Sequence, residues 1–273
     1  MNNSFRAIWL AATFYLLLPD RLSAQSFAAS GLFCFDKSPD NILLFHRYPS
    51  MLARLPSGVA GLYAEQPYLL DGLRNYYLGY GFCTEAGNMA LLMQHQGNEY
   101  NQYQKISFTY GRNLGSGMEV GIQVHLHNER FSGYSVRRVL SGSLGCGFQL
   151  SASMRAGLAM QDPAFFLPEK NKTYRINSRY LSFIQYAFSK QLNVGCQFMI
   201  SEKEQSACQI GLQYEPQPDC RLLLAVNTES GSVLFGLNYS VRRLRLLFSA
   251  GYHPVLGPTP SFGIMYQREG MRS

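Results

Sequence analysis

Two histidines, His125 and His127, stand two residues apart, with Glu119 six positions upstream in the same alternation. In an extended strand all three side chains point to one side, because successive residues face opposite ways. Two imidazoles and a carboxylate are the donor set of a divalent-metal or proton-relay site. A metal needs a further ligand at a convincing spacing, and none follows. The favoured reading is therefore a row of polar residues lining a hydrated interior. Gln123 shares that face, and Arg155 is a candidate for the same interior. A hydrolase would need Ser or Cys beside a His and an orienting acid. Ser and His occur, but no spacing singles out a set, so neither an enzyme nor a cofactor is expected.

Six cysteines, Cys34, Cys83, Cys146, Cys196, Cys208 and Cys220, are spread without any CxxC pair, which argues against a metal site. Cys196 and Cys208 could sit opposite each other across one hairpin and form a bridge. Most of the six read as small apolar residues on strand faces.

The element that must position these groups is the strand. Met118, Val120, Ile122, Val124 and Leu126 take one face, while Glu119, Gly121, Gln123, His125 and His127 take the other. That is strict period two over ten residues, the length of one tilted membrane strand. Ile106, Phe108 and Tyr110 alternate with Lys105, Ser107 and Thr109, and Phe262, Ile264 and Tyr266 with Ser261, Gly263 and Met265. The non-apolar face is mostly Gly, Ser, Asn and Gln. A soluble sandwich would place Lys, Glu and Thr there, whereas small residues suit a crowded barrel interior.

Composition points the same way. The chain is 47% hydrophobic but only 15% charged, against about a quarter charged in soluble domains. Its mean hydropathy is −0.11, and nothing after the N-terminus approaches the ~18 apolar residues of a spanning helix. Residues 1–24 read as an export signal: Arg6 is the basic start, Ala7 to Leu18 the apolar run, and Leu22, Ser23 and Ala24 the cleavage site. The predicted architecture is all-β: a transmembrane antiparallel barrel of about fourteen strands, with twelve as the alternative count, over residues 57–268. Aromatics at Tyr110, Phe148, Tyr186, Tyr214 and Tyr239 precede short turns on the periplasmic side. Longer outer connections are expected at 96–102, 128–136, 162–177 and 253–260, and a periplasmic tail at 269–273.

Residues 25–56 do not alternate. Ile42 to Phe45 and Met51 to Leu55 read as short helical pieces interrupted by Pro39 and Pro49. Fourteen strands leave a lumen that something must occupy, so this segment is expected to act as a plug or hatch.

With Tyr48, Pro49, Ser50, Met51, Leu52 and Ala53 in that segment, about fourteen strands and the recurring aromatic-then-turn pattern, the chain resembles the FadL-like superfamily. Within it the chain is most similar to the PorV/PorQ-type barrels associated with type IX secretion. Their Asn-Pro-Ala stretch is here Tyr48, Pro49 and Ser50, and Asp162 with Pro163 matches an Asx-Pro at a strand end. The resemblance implies a scaffold or shuttle for protein secretion or surface attachment. The small-residue lumen favours the alternative, a plugged channel for a hydrophobic or small polar solute. For the first function, Phe165, Phe166 and Lys170 mark a candidate partner loop for secretion-system or secreted proteins. Arg130, Arg137, Arg138, Lys170, Lys172, Arg175 and Arg179 could pair with lipopolysaccharide phosphates. A net charge of +7 on an exported membrane chain does not indicate nucleic acid.

Overall fold

In a strand whose two faces differ in polarity, the register that buries one face must expose the other along its whole length. The computed structural model applies this fourteen times. It describes residues 41–115, 117–133, 136–163, 178–202 and 206–268. The expected signal segment, the first part of the plug segment, Cys34, the loop residues Phe165, Phe166 and Lys170, and the tail lie outside these.

The strands are β1 (Val59–Glu65), β2 (Asn75–Thr84), β3 (Gly87–Gly97), β4 (Asn101–Asn113) and β5 (Met118–Phe131). They continue as β6 (Arg137–Gln149), β7 (Met154–Gln161), β8 (Arg179–Ala187), β9 (Leu192–Ser201) and β10 (Ala207–Gln217). β11 (Cys220–Asn227), β12 (Val233–Val241), β13 (Leu244–His253) and β14 (Gly257–Gln267) complete the set. Each strand pairs antiparallel with its neighbours in sequence, and β1 pairs with β14 from Val59↔Gln267 to Glu65↔Ser261, closing the barrel.

The faces are inverted relative to a soluble protein. Leu78, Phe108 and Ile210 are about half exposed on the outside, while Gln123 and Gln213 are buried at 1% inside. Each large apolar side chain left in water forgoes about 1.5–3 kcal/mol of burial. A continuous belt of them is stable only against lipid. The free thiols of Cys196 and Cys208 lie on this outer face with their sulfurs 3.4 Å apart.

Two of the expected long connections are tight turns. Residues 98–100 link β3 to β4 because Asn98 Oδ1 accepts from the Tyr100 and Asn101 amides. Residues 254–256 link β13 to β14 because His253 Nδ1 accepts from the Val255 and Leu256 amides. A side chain that satisfies the turn's amides lets the strands run further.

The helical segment folds into the lumen. Helix α1 (Ile42–Arg47) is capped by Asn41, whose side chain accepts from the Leu43 amide. A 3₁₀ turn (Pro49–Arg54) follows, with Pro at its first position. Together they lean on β1–β6. The wall there is glycine: Gly61 pairs with Gly79, and Gly111, Gly121 and Gly145 stand directly across from one another. A Cβ on Gly111 would lie 2.7 Å from the Ala53 nitrogen, and one on Gly121 would fall onto the Pro49 carbonyl.

A Gly121→Val substitution therefore cannot coexist with the seated plug. It should cost about 1–3 kcal/mol of overpacking in urea-induced unfolding from detergent or lipid, while heat-dependent gel migration still reports a closed barrel. An unchanged unfolding midpoint would show that the plug does not rest on this wall.

Candidate functional site

The lumen holds an apolar cluster around the plug and, on β4–β6, rows of buried polar residues such as Ser107, Thr109, Gln123 and His125. In the cluster, Ile42, Leu44, Phe45, Tyr48 and Leu52 of the plug pack on Tyr63, Tyr77, Leu92, Phe183, Leu247 and Met265 of the wall. Tyr48 meets Phe183 edge-on at 4.8 Å between centroids.

Polar wall residues donate to the carbonyls at the C-terminal ends of the plug's short helical pieces, where helices leave acceptor capacity unfilled. The Asn88 amide donates to the carbonyls of Leu52, Ala53 and Leu55 at 2.9–3.2 Å. The Gln161 amide donates to those of His46 and Arg47, both at 3.2 Å. His46 Nε2 sits 2.8 Å from Gln94 Oε1, and the Gln94 amide in turn donates to Tyr77. That orientation makes Nε2 the donor and leaves Nδ1 as an acceptor. Burial, followed by the charge of nearby Lys105, pushes the His46 pKa down to about 3, so the ring is neutral.

All five lumen-facing candidates are buried on the inner face: Glu119, Gln123, His125, His127 and Arg155. The structure does not gather them into one centre. Glu119 lies near the start of β5, where it is ion-paired to Arg155 and lies 3.6 Å from Arg54 of the plug. Arg155 also stacks over the Phe183 ring at 5.5 Å. Gln123 donates to Thr109 at 2.7 Å. His125 is held between Ser107 and Ser143, each at 2.7 Å.

His127 belongs to a chain that is easily mistaken for a catalytic triad. Tyr103 lies 2.8 Å from His127 Nδ1, Ser141 lies 2.6 Å from Nε2, and the Ser141 hydroxyl donates to Asp162. The hydrogens run in one direction, Tyr103 to His127 to Ser141 to Asp162. The serine proton thus goes to the carboxylate, and the imidazole donates to the serine rather than drawing its proton away. A nucleophile needs the reverse. Burial raises the Asp162 carboxyl, but the His127 contact and the Lys105 charge outweigh it and hold the group below the usual carboxylate range. No group of three or more His, Cys, Asp or Glu residues positioned for a metal is present among the described residues.

Sequence reasoning missed the plug's wall anchors, Asn88, Gln94 and Gln161, and the plug's own His46. The available signal was His46 itself, the one histidine in a non-alternating segment. A cavity of about 20 Å³ remains between α1 and the wall, bounded by Ile42, His46, Tyr77, Lys105, Ser107 and Met265. The larger hollow, about 600 Å³, lies on the lipid side of β4–β8 among Val120, Ile122, Leu144, Leu158 and Met160.

Several solved outer-membrane barrels share this fold. The CymD monoaromatic hydrocarbon channel superposes with a TM-score of 0.56 at 12% identity, covering 90% of this chain and 94% of that one. The Pseudomonas putida toluene transporter TodX gives 0.55 at 11% identity, over 80% and 90%. The Acinetobacter baumannii outer membrane protein Omp33 gives 0.53 at 8% identity, over 79% and 100%. No protein-family model matches the chain, and no curated protein matches it in sequence. What the chain shares with them is the fold, that of an outer-membrane β-barrel.

Two outcomes follow from the buried charges. Glu119→Gln leaves the Arg155 guanidinium buried without its counter-charge and should destabilise by about 3–5 kcal/mol. Adding Arg155→Met should recover most of that loss in the same urea titration, and failure to recover would mean the pair does not act as a unit. His46 is neutral when seated and protonates when released, so stability should fall as pH drops from about 6.5 toward about 3. His46→Gln should flatten that part of the pH profile, read as the unfolding midpoint at each pH.

Proposed function

We propose that this barrel is a plugged outer-membrane channel that admits a small, mainly apolar solute when its internal segment moves. The carrying observation is the apolar cluster of wall residues around the plug. General diffusion pores have polar interiors, whereas here Tyr63, Tyr77, Leu92, Phe183, Leu247 and Met265 of the wall face inward against an apolar plug. Displacing the plug would uncover this apolar surface inside the lumen, which suits a solute that water carries poorly. The likeness to a toluene transporter and a monoaromatic hydrocarbon channel supports this reading. Residues 1–24 would serve as the export signal, and the basic outer residues, with Arg137 already paired to Glu129 at 3.2 Å, would meet lipopolysaccharide.

A scaffold or shuttle role in secretion is the second reading. It draws on how tightly the lumen is closed, since Asn88 and Gln161 together engage five plug carbonyls. In that reading Phe165, Phe166 and Lys170 would form the partner loop, and the PorV-type resemblance would carry its meaning.

Planar-bilayer recordings decide between the two. The full barrel should be nearly silent, and deletion of residues 25–56 should give stepwise currents and faster toluene entry into liposomes. Silence from both forms, in protein shown to be inserted, would remove the channel reading and leave the scaffold.

A further inference from the structure

Lys105 of β4 is an unusual residue to find sealed inside a wall. Its side chain is buried, with 7% of the residue exposed, between the Gln94 and His127 positions of the neighbouring strands. Among the described residues its ammonium has no hydrogen-bond partner, and no carboxylate oxygen lies within 4.0 Å of it. Asp162 acts on it only at longer range and is engaged by Ser141, while Arg179 adds a further positive charge. An ammonium has three donors and no acceptor. Leaving all of them unmet in a low-dielectric site costs several kcal/mol.

Lys105 and Ser107 border the cavity beneath α1 together with His46, whose buried Nδ1 is also without a partner. A space of about 20 Å³ admits a water or two, or one monatomic anion, but no chain of carbon atoms. We infer that this cavity is a binding site for a single halide ion, held by the Lys105 ammonium and clamped between the wall and the plug helix. The anion supplies the acceptor that Lys105 lacks and neutralises its charge where α1 covers it. Because His46 belongs to the plug and Lys105 to the barrel, an occupied site holds the two together.

The site is also coupled to protons. With Nε2 donating to Gln94, Nδ1 of the neutral ring carries a lone pair, which an anion disfavours. Protonating that nitrogen converts it to a donor, so halide binding strengthens as pH falls. The groups facing His46 are Lys105 of β4, Arg47 of its own helix, Asp162 after β7, Tyr77 of β2, Tyr63 of β1 and His125 of β5. Only Asp162 among them is an acid that ionises below neutrality, and it is already deprotonated, so the added proton goes to His46.

The test uses the whole barrel in detergent and does not depend on channel activity. Thermal unfolding is followed in sodium bromide and in sodium gluconate at equal ionic strength, at pH 7.5 and at pH 4, where the His46 pKa of about 3 comes within reach. Bromide should raise the midpoint by a few degrees, saturably, and by more at the lower pH, while Lys105→Met should lose the response. Crystals grown in bromide should show an anomalous peak beside Lys105, a readout that stands even where the variant fails to fold. Equal midpoints in the two salts, a response retained by Lys105→Met, or water alone beside Lys105 would each overturn the site.

Discussion

Everything in this molecule follows from the rule that hydrocarbon offers no partner to a backbone amide. An open sheet edge in the bilayer would leave a row of unpaired N–H and C=O groups, each costing several kcal/mol. The first strand must therefore meet the last, and the seven-residue pairing of β1 with β14 does this. Once the sheet is closed, its two faces are no longer equivalent. One looks onto lipid and must be apolar, and the other looks into a lumen whose contents the chain must itself provide.

Filling that lumen sets the second layer of constraint. The plug brings an apolar face and, at the C-terminal end of each short helical piece, carbonyls with acceptor capacity to fill. The wall answers the first with Tyr63, Leu92 and Leu247 and the second with Asn88 and Gln161. Glycine makes the approach close enough for both. With side chains at Gly111, Gly121 and Gly145, the 3₁₀ turn would stand off from the wall by at least a methyl group, and Asn88 would no longer reach three carbonyls at once. Apolar packing and hydrogen bonding are in this sense one arrangement, fixed by the register that lines the three glycines up.

How much of this the sequence discloses depends on the distance over which each feature is determined. Strand identity is local: the alternation of Met118 through His127 is visible to the eye and coincides with the start of β5. The connections at 96–102 and 253–260 are shorter than the sequence suggests. Asn98 and His253 in fact spend their acceptors on turn amides. Which lumen residues touch was not legible at all. Glu119 and Arg155 are 36 positions apart and Gln161 and His46 are 115 apart; only the closed register brings them together. Glu119 and the two histidines, adjacent on one strand face in the sequence, end in separate clusters because each takes its partners from a neighbouring strand.

A sealed barrel of this kind could open without coming apart. Five carbonyl contacts from Asn88 and Gln161, at about 1 kcal/mol net each, and the apolar face of α1 hold the plug in place. None of these groups takes part in strand pairing through its side chain. The Glu119–Arg155 pair and the His125 and His127 chains are made within the wall itself and survive if the plug leaves. Displacing the plug therefore costs a sum of modest, separable terms, and water or solute entering the lumen can replace most of the hydrogen bonds. What water cannot replace is the apolar contact along Tyr63, Tyr77, Leu92 and Phe183. A mainly apolar solute can, by taking the surface that the plug vacates. In the proposed channel, a solute of that kind would lower the cost of opening, and the apolar cluster around the plug would act as both the seal and the basis of selectivity.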